Sequence, residues 1–507
     1  MTKSSWTWLF LVFICSLRAC YLYWQSTAEL RATGSGFVPW HRFHQPASPQ
    51  LSPFSSENDT TIIDSTPSNL FYFTQISDLH LSKFRARGHT LHFLHFVRSI
   101  LPIVNPNFVV VTGDLTDAKD IRRITSQQYK EEWDVYRQTI EQGAQYMPWY
   151  DMRGNHDCFD LPSWQSHVNF YRTHGKSADL MEAGQGIYEW QLTPSYGKYR
   201  FVAIDACPKR GPSRPFNFFG YLTSKTMDRL AQVLQPESHY NHTFVFSHYP
   251  TTTMVFGLGE VLKWYDPNGH SLELELGDMM AHGVYRIVAV DHDLISFVDV
   301  ELPRKQFALH PTIPLKPNGE ILWPARIHPA PIVLITNPKD ARYALPHKEP
   351  LHRIQQSQHI RFLIFSHVPP KDLEVSVMID GEPHPVAATR SISKTTHPPH
   401  DPPLWTAPWD PSQLNQARLH TIDIRVTTPD GQVGKSSTVF RLDNRRVRIA
   451  GGPGEFIISS NMIIVVSYTL DYYYYYYLTD KKMILTSLIC IITCITLSIN
   501  LNSSAQY

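Results

Sequence analysis

Phe71-Tyr72-Phe73-Thr74-Gln75-Ile76-Ser77-Asp78-Leu79-His80 is the stretch on which the reading of this chain turns. Residues 71–76 are mostly apolar, aromatic or β-branched and predict a buried strand. The strand runs into a carboxylate and an imidazole two residues apart, a ligand pair suited to a divalent metal. A lone D-x-H tripeptide is also an ordinary polar turn. The arrangement recurs downstream, and the recurrence separates the two readings.

Phe93, Phe96, Val97 and Ile100 follow i, i+3, i+4, i+7 and predict a helix ended by Pro102 and Pro106. Residues 107–112 read as a second buried strand closed by Gly113-Asp114. Tyr129, Trp133, Tyr136 and Ile140 predict a second helix, with Lys130, Glu131 and Glu132 on its surface. A third strand after Pro148 ends in Gly154-Asn155-His156-Asp157. A strand from Tyr199, a helix with Met227, Leu230, Ala231 and Leu234, and a strand ended by Ser247-His248 follow. Alternating strands and helices argue an α/β arrangement. Ligand-type residues stand at the C-terminal ends of successive strands, where the loops of such folds converge.

In type and order, Asp78-x-His80, Gly113-Asp114, Gly154-Asn155-His156-Asp157 and Ser247-His248 resemble the calcineurin-like metallophosphoesterase family. The resemblance implies an α/β fold, a metallophosphoesterase β-sandwich core flanked by helices, over residues 70–300. It implies a phosphate-ester substrate and two divalent metal ions (Mn, Fe or Zn). Asp78 and His80 would bind the first ion, Asp114 would bridge, and Asn155 and His248 would bind the second. His156 would give a proton to the leaving alkoxide or stabilise its charge. Asp157 reads either as a catalytic partner orienting His156 or as the N-cap of a helix over Leu161–Phe170. Two ions roughly 3.5–4 Å apart clamp a phosphoryl group and acidify a bridging water.

The family also supplies a Gly-His-x-His after its last core strands. Here Gly269-His270-Ser271-Leu272 has leucine in place of the second histidine, and His270 and His282 are the available substitutes. Losing two ligating imidazoles costs on the order of 3–5 kcal/mol of metal affinity. Two functions therefore stand: a membrane-associated, metal-dependent phosphoesterase, and a catalytically impaired phosphoesterase-fold scaffold or binding protein.

The remainder bounds the setting. With 46 basic and 45 acidic residues there is no nucleic-acid footprint. Of six cysteines, only Cys158 and Cys207 fall in the globular part, so one disulfide between them is possible. Residues 1–28 predict a signal anchor or signal peptide. They would place the globular domains on the luminal or extracellular side of the secretory pathway, at the endoplasmic reticulum or later. Asn58-Asp59-Thr60 and Asn241-His242-Thr243 are glycosylation sequons on that side.

Residues 29–69 read as a flexible Pro/Ser/Thr-rich spacer and 301–330 as a linker or insertion. Short β-rich runs over 331–445, with turns at Asp380-Gly381 and Asp430-Gly431, predict an immunoglobulin-like β-sandwich. His397 and His400 lie in a Pro-rich loop that reads as solvated. Residues 446–507 form an atypical tail with a candidate membrane span at 483–501 behind Lys481-Lys482. The six consecutive tyrosines from Tyr472 beside Ile/Asn/Ser-rich text also resemble translated non-coding sequence.

Overall fold

The computed structural model describes residues 59–447 except 87, 209–217, 235–239, 257–259, 262–270, 304–309 and 393–401. The expected N-terminal anchor, spacer residues 29–58 with Asn58, His270, His397, His400 and the tail with its 483–501 segment lie outside the described residues. Among the described residues no helix is long and apolar enough to cross a membrane.

The strands of the N-terminal domain are β1 (Leu70–Ile76), β2 (Val109–Thr112), β3 (Trp149–Met152), β4 (Ile187–Leu192), β5 (Tyr199–Ile204), β6 (Gly220–Leu222), β7 (His242–Ser247), β8 (Met254–Phe256), β9 (Glu260–Val261), β10 (Val284–Asp291) and β11 (Leu294–Glu301). One sheet has the order β11-β10-β1-β2-β3, with β1, β2 and β3 parallel. A second has the order β4-β5-β7, with β5 and β7 parallel, and β6, β8 and β9 make a small third sheet.

The strand at the centre is β1 because both its faces are apolar. Phe73 meets Phe201 at 5.7 Å, Phe244 at 5.6 Å and Phe246 at 6.1 Å, all edge to face, and so joins the first two sheets. Tyr72, on the other face, meets Phe365 of the C-terminal domain at 5.3 Å.

The first helix does not stop at Pro102. It runs from Thr90 to Val104, with a π-helical turn over Phe96–Ile100. Proline lacks an N–H and its ring collides with the carbonyl four residues back. The wider turn, in which Leu101 N–H donates to Phe96 O, opens the ladder just before the ring and lets the helix pass through. The second helix spans Lys130–Gly143. No helix forms over Leu161–Phe170; a single turn begins at Tyr171.

The C-terminal domain is a sandwich of two four-stranded sheets without a disulfide. Its strands are β12 (Ile332–Asn337), β13 (His359–Phe365), β14 (Glu374–Ile379), β15 (Glu382–Pro383), β16 (Thr389–Arg390), β17 (Leu404–Pro408), β18 (His420–Thr427) and β19 (Val433–Phe440). They form sheets of order β12-β13-β17-β16 and β15-β14-β18-β19. Val333, Phe362, Ile364, Trp405, Ile424 and Phe440 fill the space between. The Asp380-Gly381 turn has both residues left-handed (φ 51° and 85°), which suits a tight hairpin.

The N-terminal core extends onto Leu334, Leu363 and Phe365 of the C-terminal domain, and the two domains meet at a buried ionic junction. The β10–β11 hairpin turns through His292 and Asp293, both left-handed, at φ 51° and 65°. Asp291 at its base receives Arg361 Nε at 2.8 Å, Arg361 Nη2 at 2.9 Å and Thr336 Oγ1 at 2.6 Å. Asp293 takes Arg353 at 2.9 Å, and Arg353 also holds Asp59 at 2.6 Å. Glu349 accepts Ile295 N at 2.7 Å and pairs with Lys339 at 3.0 Å.

The described part of the 301–330 stretch is laid along the two helices. Ile327 N donates to Ser99 Oγ, Ile321 N to Gln142 Oε1, and Trp323 lies over Arg98. Asn241 Nδ2, the acceptor atom of its sequon, donates to Asp293 at 2.8 Å.

Candidate metal centre

The loops leaving β1 and β2 are zipped together by their backbones. Asp78 N donates to Gly113 O, His80 N to Asp114 O, and Leu81 N to Leu115 O, at 2.8–3.1 Å. Side chains Asp78, His80 and Asp114 are thereby presented from left-handed backbone, at φ 53°, 44° and 51°. Such conformations cost on the order of 1–3 kcal/mol each and persist where the surroundings over-determine them. Two glycines make the approach possible. A Cβ on Gly113 (φ 93°) would lie 2.6 Å from Gly154 N, and one on Gly154 would lie 2.2 Å from Asp114 Oδ1.

Asp114 is the hub. Its Oδ2 lies 3.3 Å from His80 Nε2, and its Oδ1 lies 3.5 Å from His248 Nε2 while accepting His156 N at 2.8 Å. Asp78 Oδ1 is 3.6 Å from His80 Nε2, and Ser77 Oγ donates to Asp78 Oδ2 at 2.7 Å. Asp78, His80 and Asp114 offer ligand atoms all within 4.8 Å of one another. The expected set of Asp78, His80, Asp114, Asn155 and His248 is brought to one place.

The protonation pattern fits a cation. His248 Nδ1 faces Thr112 O at 2.9 Å; a carbonyl only accepts, so Nδ1 carries the proton. Nε2 then points a lone pair at Asn155 Oδ1, 3.0 Å away, which is also an acceptor. Two facing acceptors need a shared cation, an added proton, or an Asn155 amide turned over to present its Nδ2. The titration behaviour agrees. Burial pulls the His80 imidazole down, but Asp114, Asp78 and Asp117 outweigh it and push it up to about 9. His248 is raised as well, burial being outweighed chiefly by Asp114 and Asp78. Protons thus stand in for positive charge that the carboxylates demand.

His156 is placed differently. Its ring lies edge-on to His80 at 4.3 Å, its Nδ1 donates to Asp117 O at 2.6 Å, and its Nε2 faces Asp114 Oδ2 at 3.9 Å. Burial and the charge of His80 hold it well below the usual imidazole range, so Nε2 is an acceptor at rest.

Asp157 neither orients that ring nor caps a helix. Its carboxylate accepts Leu115 N at 3.1 Å, Thr116 N at 3.0 Å and Gly154 N at 2.8 Å, and so staples the third loop to the second. Burial and Asp114 push it up to about 7. Asp157→Ala is expected to cost about 2–3 kcal/mol, since it orphans several buried donors. Urea denaturation of the variant reads this, and a loss within experimental scatter would refute the staple.

Two residues were missed. Asp117 orients His156 through its carbonyl. Its carboxylate accepts from Ser82 Oγ and Arg85 and stands 3.8 Å from His80 Nδ1. Its only sequence signal is a carboxylate three residues after Asp114. Glu132, expected on the helix surface, is fully buried: it accepts Lys83 N at 2.8 Å and Ala118 N at 3.1 Å, tying both ligand loops to the helix. Burial pushes its carboxyl up to about 8. Cys158 and Cys207 form a disulfide joining the loop after β3 to the loop after β5. His282, a candidate substitute ligand, is half exposed and held by Asp278 at 2.6 Å, the residue that caps its own short helix.

Comparison with known proteins adds family to geometry. Residues 71–370 match the calcineurin-like phosphoesterase family profile, and residues 327–446 match the TMEM62 Ig-like domain. The chain is 32% identical to Transmembrane protein 62 of Mus musculus over 421 residues, 78% of this chain and 59% of the mouse protein. It is 30% identical over 197 residues to a protein of Arabidopsis thaliana that carries metallophosphoesterase in its name, covering 38% of this chain and 25% of that one. The chain thus spans less than two thirds of either relative.

Proposed function

The chain belongs to the calcineurin-like phosphoesterase family, and from that premise we propose that it is a metal-dependent hydrolase of phosphate esters. The convergence of Asp78, His80, Asn155 and His248 on Asp114, with two acceptors facing each other at 3.0 Å, carries this reading. Asp78, His80 and Asp114 would hold one divalent ion, and Asp114, Asn155 and His248 a second. Ions there would supply Lewis-acid polarisation and charge neutralisation for a phosphate ester.

The protein's own part is orientation and proton handling. Asp117 fixes the His156 ring so that Nε2, unprotonated at rest, faces the site, where the negative charge of a bound phosphate ester would favour the protonated ring that a leaving alkoxide needs. Thr112 fixes His248 in the tautomer that leaves Nε2 free to ligate. The apolar stretch at residues 7–17 supports a membrane-associated setting in the secretory pathway.

One observation favours a second reading: Gly-His-x-His is missing from the sequence after His248. On that reading the domain is a scaffold that keeps the fold and a weakened metal site. Purified full-length protein separates the two by elemental analysis and by turnover of an aryl phosphate monoester and diester. The hydrolase reading expects bound divalent metal and turnover that falls by about 10²-fold or more in His156→Ala. A folded protein that turns over neither ester would leave the scaffold.

A further inference from the structure

The loop between Asp117 and the second helix ends in a tip unlike the rest of the surface. Ile121 and Ile124 are 73% and 76% exposed, the largest values among the exposed large hydrophobic residues described. Arg122 and Arg123 lie between them, and Ile121 to Thr125 are exposed without a break. Single exposed apolar residues are unremarkable; two isoleucines flanking two arginines on one projection are not.

The tip is also closed on itself. Asp120 N donates to Thr125 O, Arg123 N to Asp120 O, and Lys119 bridges Ser126 as an antiparallel pair. Asp120 turns its carboxylate inward, accepting Ile124 N at 2.8 Å and Thr125 Oγ1 at 2.9 Å. Asp160, the next acidic group, accepts Ser126 Oγ at 2.5 Å. Much of the turn's backbone polarity is thus satisfied internally, and Lys119, Arg122 and Arg123 outnumber the carboxylates of Asp120 and Asp160. A segment that enters a lipid interface needs its backbone satisfied in this way, because a bare N–H there is expensive, and its excess positive charge is drawn to lipid phosphates.

The tip also stands where docking would matter. Its loop leaves β2 at the strand end that carries Asp114, and the tip begins four residues beyond the Asp117 that orients His156.

We propose that the Ile121–Ile124 tip docks on a phospholipid bilayer, the isoleucines entering the interface and Arg122 and Arg123 meeting lipid phosphates. The surface is independent of turnover at the metal centre. A protein partner fits less well, because the tip is a self-bonded projection that offers no open backbone edge.

The test uses the full-length chain with a photo-crosslinking amino acid at position 121, incubated with vesicles of phosphatidylcholine alone or with phosphatidylserine. Lipid adducts are expected at position 121 with the anionic vesicles. They should fall by about tenfold or more in an Arg122→Glu/Arg123→Glu background, each arginine near an anionic surface being worth about a fivefold factor. Labelling at Ile392, 69% exposed on the C-terminal domain, controls for vesicle contact elsewhere. Adducts to protein, no adducts, adducts no more frequent than at position 392, or adducts indifferent to the arginines would each overturn the proposal. Circular dichroism of the double variant confirms that it is folded.

Discussion

Arg361→Ala is expected to destabilise the folded chain by about 3–5 kcal/mol, the cost of leaving a buried partner charge unpaired. Arg361 is fully buried, binds both oxygens of Asp291, and donates to Asp64 O and Thr66 O. Its removal strands Asp291, itself only 1% exposed, at the junction of the two domains. Guanidinium denaturation monitored separately in each domain should show both melting earlier and together. The pair Arg361→Met with Asp291→Leu should recover much of the loss, because a well-packed apolar pair of similar volume often replaces a buried ion pair at little cost.

The same junction predicts acid sensitivity. Burial pushes the Asp291 carboxyl up, but Arg361, with help from His292, holds it far below the usual carboxylate range. A depressed folded-state pKa contributes stability above the unfolded value, about 3.9, and loses it as pH falls below that. The thermal midpoint should therefore fall steeply below about pH 4 in the native protein and less so in the Met/Leu pair. An equal fall in both would place the acid lability elsewhere.

Asp114→Asn is expected to weaken divalent metal binding by more than about 100-fold while leaving the metal-free fold intact. Asp114 faces His80, His248 and the backbone of His156, so every expected ligand pair includes or surrounds it. An amide keeps the shape but gives up the charge that offsets two cations. In chelator, the variant should melt no lower than the native chain, because burial already pushes the Asp114 carboxyl up and the ionised form is costly to bury. Isothermal titration with Mn²⁺ and a melt in chelator measure the two halves. Unchanged metal affinity would remove Asp114 from the centre; a collapsed melt would make its role structural.

Much of this site was legible along the chain. Asp78, His80, Asp114, Asn155, His156 and His248 stand at strand ends because burial of β1, β2, β3 and β7 forces the next polar residues into converging loops. The helix after Tyr129 and the C-terminal sandwich were readable from period and turn residues alone. Glu132 was not, because its period places it with the polar face and nothing local announces two backbone N–H groups waiting in distant loops. Asp157 was ambiguous for the same reason: its partners, Leu115 and Thr116, lie forty residues earlier.

By itself, the sequence determined which chemistry is available: hard and borderline ligands in a fixed order, family membership, and the missing Gly-His-x-His. Periodicity and residue type are local properties and survive as such in the text of the chain. Only the tertiary structure decided which carboxylates face the centre and which hold the loops around it, and that the C-terminal domain is bonded to the N-terminal one through Asp291 and Arg361. Those assignments depend on contacts between residues far apart in sequence, where burial makes each unpaired charge or donor costly enough to dictate its partner.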